Sequence, residues 1–173
     1  GRFPSHLIRA LINAFGANED DVILDPFSGS GTTLVESRML GIPAIGIEIS
    51  PLSAMISRVK SQFSLTPMEG AKLIDSLSQF YNSKWEEFYS LHSVDSTDHK
   101  DVLNRVGNSI PEFSNIERWF TPEALLGTSI VVEYILRQEG YVKDFLTIAL
   151  SAKMRSIGNV DVDVVRAEYR KTP

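Results

Sequence analysis

The sequence predicts a doubly wound α/β unit followed by a helical subdomain. Three observations predict it. Strand, helix, strand and helix patterns alternate up to residue 63; a glycine-rich turn joins the first strand to its helix; and residues 65–157 show helical spacing with no strand pattern.

Residues 6–15 read as a helix. Leu7, Ile8, Leu11, Ile12 and Phe15 share one face, and Gly16 stands at its stop. Val22-Ile23-Leu24, bracketed by Asp20 and Asp25, is apolar on both faces, which predicts a buried parallel strand. After the glycine turn a helix runs from about Thr32 to Leu40, ended by Gly41. Ala44 to Ile49 is the second strand. Ser50 then caps a helix with Pro51 at its first position, and Leu52, Met55, Ile56, Val59 and Phe63 lie on its inner face.

Thr66-Pro67-Met68-Glu69 is a capping box that opens a long amphipathic helix. Its inward residues are Leu73, Leu77, Phe80, Tyr81, Trp85 and Phe88. Residues 90–109 are polar and predict a loop. Thr121-Pro122-Glu123 caps a helix containing Leu125, Leu126, Ile130, Tyr134 and Ile135, broken by Gly140. A last helix spans about Val142 to Ile157, before Gly158. Val160 to Val165 alternates apolar and acidic residues and reads as a strand returning to the sheet. The expected domains are therefore an α/β core at 1–64, a helical insertion or subdomain at 65–157, and a return to the core at 158–173.

Composition bounds the function. The chain has 173 residues, 43% of them hydrophobic, enough for a sizeable core. Without cysteine there is no disulfide framework, thiolate metal site or cysteine nucleophile. No apolar run is long enough to span a bilayer, and the first residues lack a signal-peptide stretch, so the expectation is a soluble cytoplasmic protein without a membrane partner. The formal net charge of −5 argues against this piece alone gripping a nucleic-acid backbone.

The chemistry concentrates in Asp25-Pro26-Phe27-Ser28-Gly29-Ser30-Gly31-Thr32-Thr33, at the carboxyl end of the first strand, where open α/β sheets bind ligands. Gly29 and Gly31 admit a close ligand or a positive φ. Glu48 ends the second strand and is placed to accept the hydroxyls of a ribose. A phosphate-binding loop would carry Lys where Thr32 stands, and a dinucleotide fingerprint would carry a third glycine where Leu34 stands. No Lys or Arg occurs between Asp21 and Ser37. A two-glycine turn preceded by Asp25 suits a nucleoside with a cationic tail, S-adenosylmethionine, better than a pyrophosphate.

Asp25-Pro-Phe-Ser-Gly-Ser-Gly-Thr-Thr-Leu-Val-Glu36, with Gly46-Ile-Glu48-Ile-Ser-Pro51, closely resembles the amino-methylating DNA methyltransferases, which modify adenine N6 or cytosine N4. The resemblance is specific over about residues 2–63. It implies a Rossmann-like methyltransferase core and S-adenosyl-L-methionine as cofactor. The segment Arg2-Phe3-Pro4-Ser5-His6-Leu7-Ile8 matches a leading motif that helps hold the methionine end. By the same resemblance Asp25, Pro26 and the loop Phe27–Gly31, with Ser28, Gly29 and Thr32, cup the methionine moiety. Glu48 holds the ribose, and Ile49 with Pro51 flanks the adenine. The bland alternatives are packing for Pro26 and Phe27, a terminal anchor for Phe3 and Pro4, a helix N-cap for Ser5, and a surface or packing role for Glu36.

The family's catalytic motif, Asp, Asn or Ser before Pro-Pro and an aromatic, has no counterpart. The prolines fall at 4, 26, 43, 51, 67, 111, 122 and 173, and no two are adjacent. No catalytic residue is therefore assigned. The chain reads as a fragment, one part of a split enzyme, or a piece ending before the catalytic half. DNA would be the partner of the assembled enzyme, and a second chain or C-terminal half would carry the motif. The resemblance further implies a prokaryotic restriction-modification setting.

Other readings are an RNA guanine-N2 methyltransferase with a similar loop, a non-catalytic module that binds nucleic acid or a subunit, and, least favoured, an NAD-binding domain. His92, Asp95, Asp98 and His99 lack helical metal-ligand spacing, so no metal is expected. Trp85, Phe88 and Tyr89 fit core better than a base-stacking platform, and Trp119-Phe120 fits a hydrophobic staple. Lys143, Lys153, Arg155, Arg166, Arg170 and Lys171 read as solvated charges rather than a wall of a DNA cleft.

Overall fold

The computed structural model of the chain describes residues 3–62, 64–90, 99–106, 110 and 114–158. The chain divides into two compact units, Gly1–Ser64 and Leu65–Pro173.

The first unit runs α1 (Ser5–Ala14), β1 (Ile23–Asp25), α2 (Thr32–Met39), β2 (Ala44–Gly46) and α3 (Pro51–Gln62). The two strands pair in parallel, with Ile23 opposite Ala44, Leu24 opposite Ile45 and Asp25 opposite Gly46. Parallel neighbours need a crossover, and α2 supplies it. Ser50 Oγ accepts from Ser53 N–H at 3.4 Å, so the predicted cap of α3 forms. Ile8 and Ile12 of α1 pack with Ile42, and Ala17, Ile23 and Leu40 close around them.

This core is narrower than the sequence predicts. Leu24 is 60% exposed and so is Val22, and Leu24 shares an open sheet face with its partner Ile45. On α1 only Ile8 and Ile12 are buried; Leu7, Leu11 and Phe15 are exposed. A two-stranded sheet offers too little area to cover both faces of its strands and the full apolar stripe of a helix. The expected Rossmann-like core is thus only partly visible, as one parallel pair with flanking helices among the described residues.

The second unit is helical throughout its described residues: α4 (Pro67–Ser90), α5 (His99–Val106), α6 (Ile116–Trp119), α7 (Pro122–Leu136) and α8 (Gly140–Ile157). Both predicted caps form. Thr66 and Glu69 exchange bonds, Thr66 N–H donating to Glu69 Oε2 at 2.8 Å and Glu69 N–H to Thr66 Oγ1 at 3.3 Å. Thr121 Oγ1 accepts from Ala124 N–H at 3.2 Å. Phe88, Val102, Ile116, Leu125, Leu126 and Ile130 form the main core. Tyr134, Ile135 and Leu146 form another, with Leu73, Leu77 and Phe80 packed on it.

The polar stretch 90–109, read as a loop, contains helix α5, whose Val102 is fully buried. Two adjacent apolar contacts, Val102 and Leu103, on a charged helix leave too little periodicity to see. The short α6 was also not predicted. The expected strand at Val160–Val165 lies outside the described residues, as does Phe63.

Candidate functional site

The strand pairing continues beyond β1 and β2. Ile47 N–H donates to Asp25 O at 2.9 Å, and Ser28 N–H donates to Ile47 O at 3.0 Å. Ser28 is buried, and its hydroxyl donates to the same carbonyl at 3.3 Å. The loop is therefore stitched to the chain after β2 before it turns away. Inside it, Phe27 N–H donates to Asp25 Oδ1 at 3.1 Å, and Gly31 N–H to Ser28 O at 2.8 Å. These turns hold Gly29 at φ +52 and Gly31, the N-cap of α2, at φ +81.

The two glycines do different work. A Cβ on Gly31 would lie 2.3 Å from Ser57 Oγ and 2.9 Å from Ser57 Cα. Gly31 thus lets α2 start against the backbone of α3. Gly29 would meet only Phe27 O, at 4.0 Å, so its outer side is open to a ligand. Gly46 also admits close packing, because a Cβ there would sit 2.8 Å from Leu34 Cδ1 and 2.9 Å from Ser28 Cβ.

Glu48 stands two residues past Gly46, the partner of Asp25, so it lies about 7 Å further along the strand direction. Its carboxylate is half-buried, and Oε1 accepts from Ser50 N–H at 2.8 Å. That bond fixes the carboxylate at the head of α3. Phe27 and Ile49 are 89% and 98% exposed, and Pro26 and Pro51 are exposed beside them. Phe27 therefore does not pack beneath the loop.

The structure brings Asp25, Phe27–Thr32 and Ile47–Pro51 together at one end of the strand pair. Phe3, Pro4 and Ser5 lie at the start of α1, all exposed, and among the described residues none bonds to the loop. Pro4 rather than Ser5 is the N-cap of α1, with no side-chain cap bond.

Three site residues were missed in the sequence. Lys60 Nζ, from α3, donates to Ser30 O at 2.8 Å. Ser57 sits against Gly31, its hydroxyl buried without a hydrogen-bond partner. Arg9 of α1 meets Glu36 of α2, with Nη2 and Nε at 2.8 and 2.9 Å from Oε2. None of these pairs has a local spacing that a sequence displays. Glu36 is buried, which fits the packing role read for it.

Elsewhere, His99 Nε2 lies 2.8 Å from Phe120 O, and no group of three potential metal ligands occurs among the described residues. His92, Asp95, Asp98, Arg166, Arg170 and Lys171 lie outside those residues. Phe88 is core, with Trp85 and Tyr89 packed on the same cluster. Phe120 packs on that cluster too, which also holds Leu125. No described helix is long and apolar enough to cross a membrane.

Fold and site together define an α/β unit with a glycine turn after the first of two parallel strands, Asp25 at the end of β1, Glu48 just beyond β2, and exposed apolar side chains beside them. Residues 1–57 match the model of a family described as DNA methylase. The chain is 31% identical over 156 residues to the type II methyltransferase M.MvaI of Kocuria varians, covering 87% of this chain and 30% of that protein. It is 51% identical over 59 residues to the type II methyltransferase M.BsoBI of Geobacillus stearothermophilus, covering 34% of this chain and 12% of that one. A tRNA (guanine(10)-N2)-dimethyltransferase of Methanothermobacter thermautotrophicus is 37% identical over 49 residues, 28% of this chain and 15% of that protein. The chain thus spans less than a third of the length of these relatives. No solved structure matches. The resemblance to the amino-methylating DNA methyltransferases is borne out over the segment that carries it.

Proposed function

We propose that this chain is the cofactor-binding part of an S-adenosylmethionine-dependent methyltransferase that modifies an exocyclic amine of adenine or cytosine in DNA. Residues 1–64 are the cofactor-binding core and 65–157 a helical insertion. The observation that carries the reading is the Asp25–Thr33 loop stitched to the chain that leads into Glu48.

The donor set fits the cofactor. At the same end of the strand pair as the Gly29 opening stand acceptors, Asp25 and Glu48, suited to an ammonium, a sulfonium and ribose hydroxyls. Phe27, Ile49 and Pro51 offer apolar surface to the nucleoside, and Phe3, Pro4 and Ser5 reach the methionine end. The bound cofactor would supply an electrophilic methyl group; these residues bind and orient it. DNA is the partner of the assembled enzyme. The Pro-Pro-aromatic element, which would hold the extruded base, comes from a second chain or a C-terminal half.

Calorimetry tests this reading. S-adenosylhomocysteine should bind, and Glu48→Ala should weaken it by about tenfold to a hundredfold, as loss of a hydrogen-bonded charged acceptor does. Preference for NADH would overturn it. A second reading, transfer to a guanine N2 amine in RNA, is favoured by the shorter match to the tRNA dimethyltransferase. Competition between RNA and DNA substrates for the assembled enzyme separates the two.

A further inference from the structure

The geometry points to Arg9 and Glu36 as a positioning pair that sets the leading segment Phe3–Ser5 against the glycine loop, and so governs the amino-acid end of the cofactor. This inference rests on the cofactor reading above. Arg9 stands four residues into α1 after Ser5, and Glu36 stands four residues into α2 after Thr32. Each is one turn below a helix start that borders the proposed site.

The guanidinium grips one carboxylate oxygen through two nitrogens, at 2.8 and 2.9 Å. Further along both helices in the same sense, Ile12 and Leu40 belong to the cluster that also holds Ile8 and Ile42. The two helices thus run side by side, with their starts at the same end. Ahead of Ile8, every described residue of the leading segment is exposed. No apolar contact there fixes its place; Ile8 is the first buried anchor of α1, and the Arg9–Glu36 ion pair next to it ties α1 to the first turns of α2.

The carboxylate side of the pair is only 10% accessible, whereas the guanidinium is 47% accessible. Removing the arginine leaves a buried carboxylate without its cation, which favours a rearranged start of α1. Glu48 and the adenine-flanking residues follow β2, and neither Arg9 nor Glu36 bonds to them. The pair therefore acts on one end of the ligand only.

The test compares S-adenosylhomocysteine with 5′-methylthioadenosine, which lacks the amino-acid end, by calorimetry on the full chain. Arg9→Met should weaken S-adenosylhomocysteine about tenfold and leave methylthioadenosine within about twofold, the scale expected when a remote contact misplaces a binding group. Arg9→Lys, which keeps the charge, should restore much of the loss. Glu36→Gln, which keeps volume and an acceptor, should repeat the selective loss, and it carries the comparison if Arg9→Met does not fold. Equal losses for both ligands, or no loss for either, would overturn the positioning role while leaving the nucleoside site intact. Failure of the unaltered chain to bind either ligand would instead overturn the cofactor reading, and this inference with it.

Discussion

Gly31 and Gly16 share a positive φ, +81 and +67, but not their surroundings. A Cβ on Gly16 would meet nothing within 4 Å, whereas one on Gly31 would run into Ser57, backbone included. Gly16→Ala should therefore lose only the left-handed conformational term, about 1–2 kcal/mol. Gly31→Ala should add the overlap with α3, for a total of about 2–5 kcal/mol. Denaturant unfolding of the two variants checks this, and equal losses would show that α2 and α3 separate at little cost. At this scale the motif residues were legible because loop chemistry is local: Asp25, the two glycines and Glu48 announce themselves by type and spacing. Arg9, Ser57 and Lys60 did not, because their partners lie 27, 26 and 30 residues away in sequence and meet only through packing.

Helix starts were the most legible elements, since a cap is a chemical pattern within four residues. Thr121→Ala removes the acceptor for Ala124 N–H and should lower stability by about 1 kcal/mol in thermal or denaturant unfolding. At α4 the capping box makes a pH prediction. The Thr66 hydroxyl and then its backbone N–H hold the Glu69 carboxyl below its ordinary value of 4.5. A carboxylate lowered on folding stabilises the native state above its unfolded value and loses that contribution as pH falls through the folded value. The stability gap between the unaltered chain and Glu69→Gln should thus be constant above about pH 5 and close in more acid solution. A gap that widens with acid would reverse the sign. Burial was less legible than boundaries. The Val22–Leu24 run predicts a strand covered on both faces, yet coverage depends on neighbours that a segment's own pattern does not specify. For α5 the error ran the other way: His99–Val106 looks polar, yet Val102 is fully buried and Leu103 packs on the same core.

At the scale of the whole molecule, binding and transfer should come apart. On the proposed reading binding needs a stitched loop, a carboxylate for the ribose and apolar flanks, and residues 25–51 hold such a loop, Glu48 and exposed apolar side chains. Transfer needs more. The lone pair of an exocyclic base amine is delocalised into the ring, so polar acceptors must turn the nitrogen toward a tetrahedral geometry, in line with the sulfonium methyl. The target base must also leave its duplex and be held. The family resemblance assigns that work to a Pro-Pro-aromatic element, and no two of the eight prolines are adjacent. The net charge of −5 gives the chain no general grip on a phosphate backbone either. We therefore expect the 173-residue chain to bind S-adenosylhomocysteine yet transfer no methyl group from labelled S-adenosylmethionine to genomic DNA free of amino methylation. Genomic DNA presents every short target sequence, so silence would not reflect a missing site, and calorimetry on the same preparation shows that the cofactor pocket is formed. Incorporation well above a heat-denatured control would mean that side chains within this sequence already orient the amine, and would move the catalytic acceptor into the chain itself.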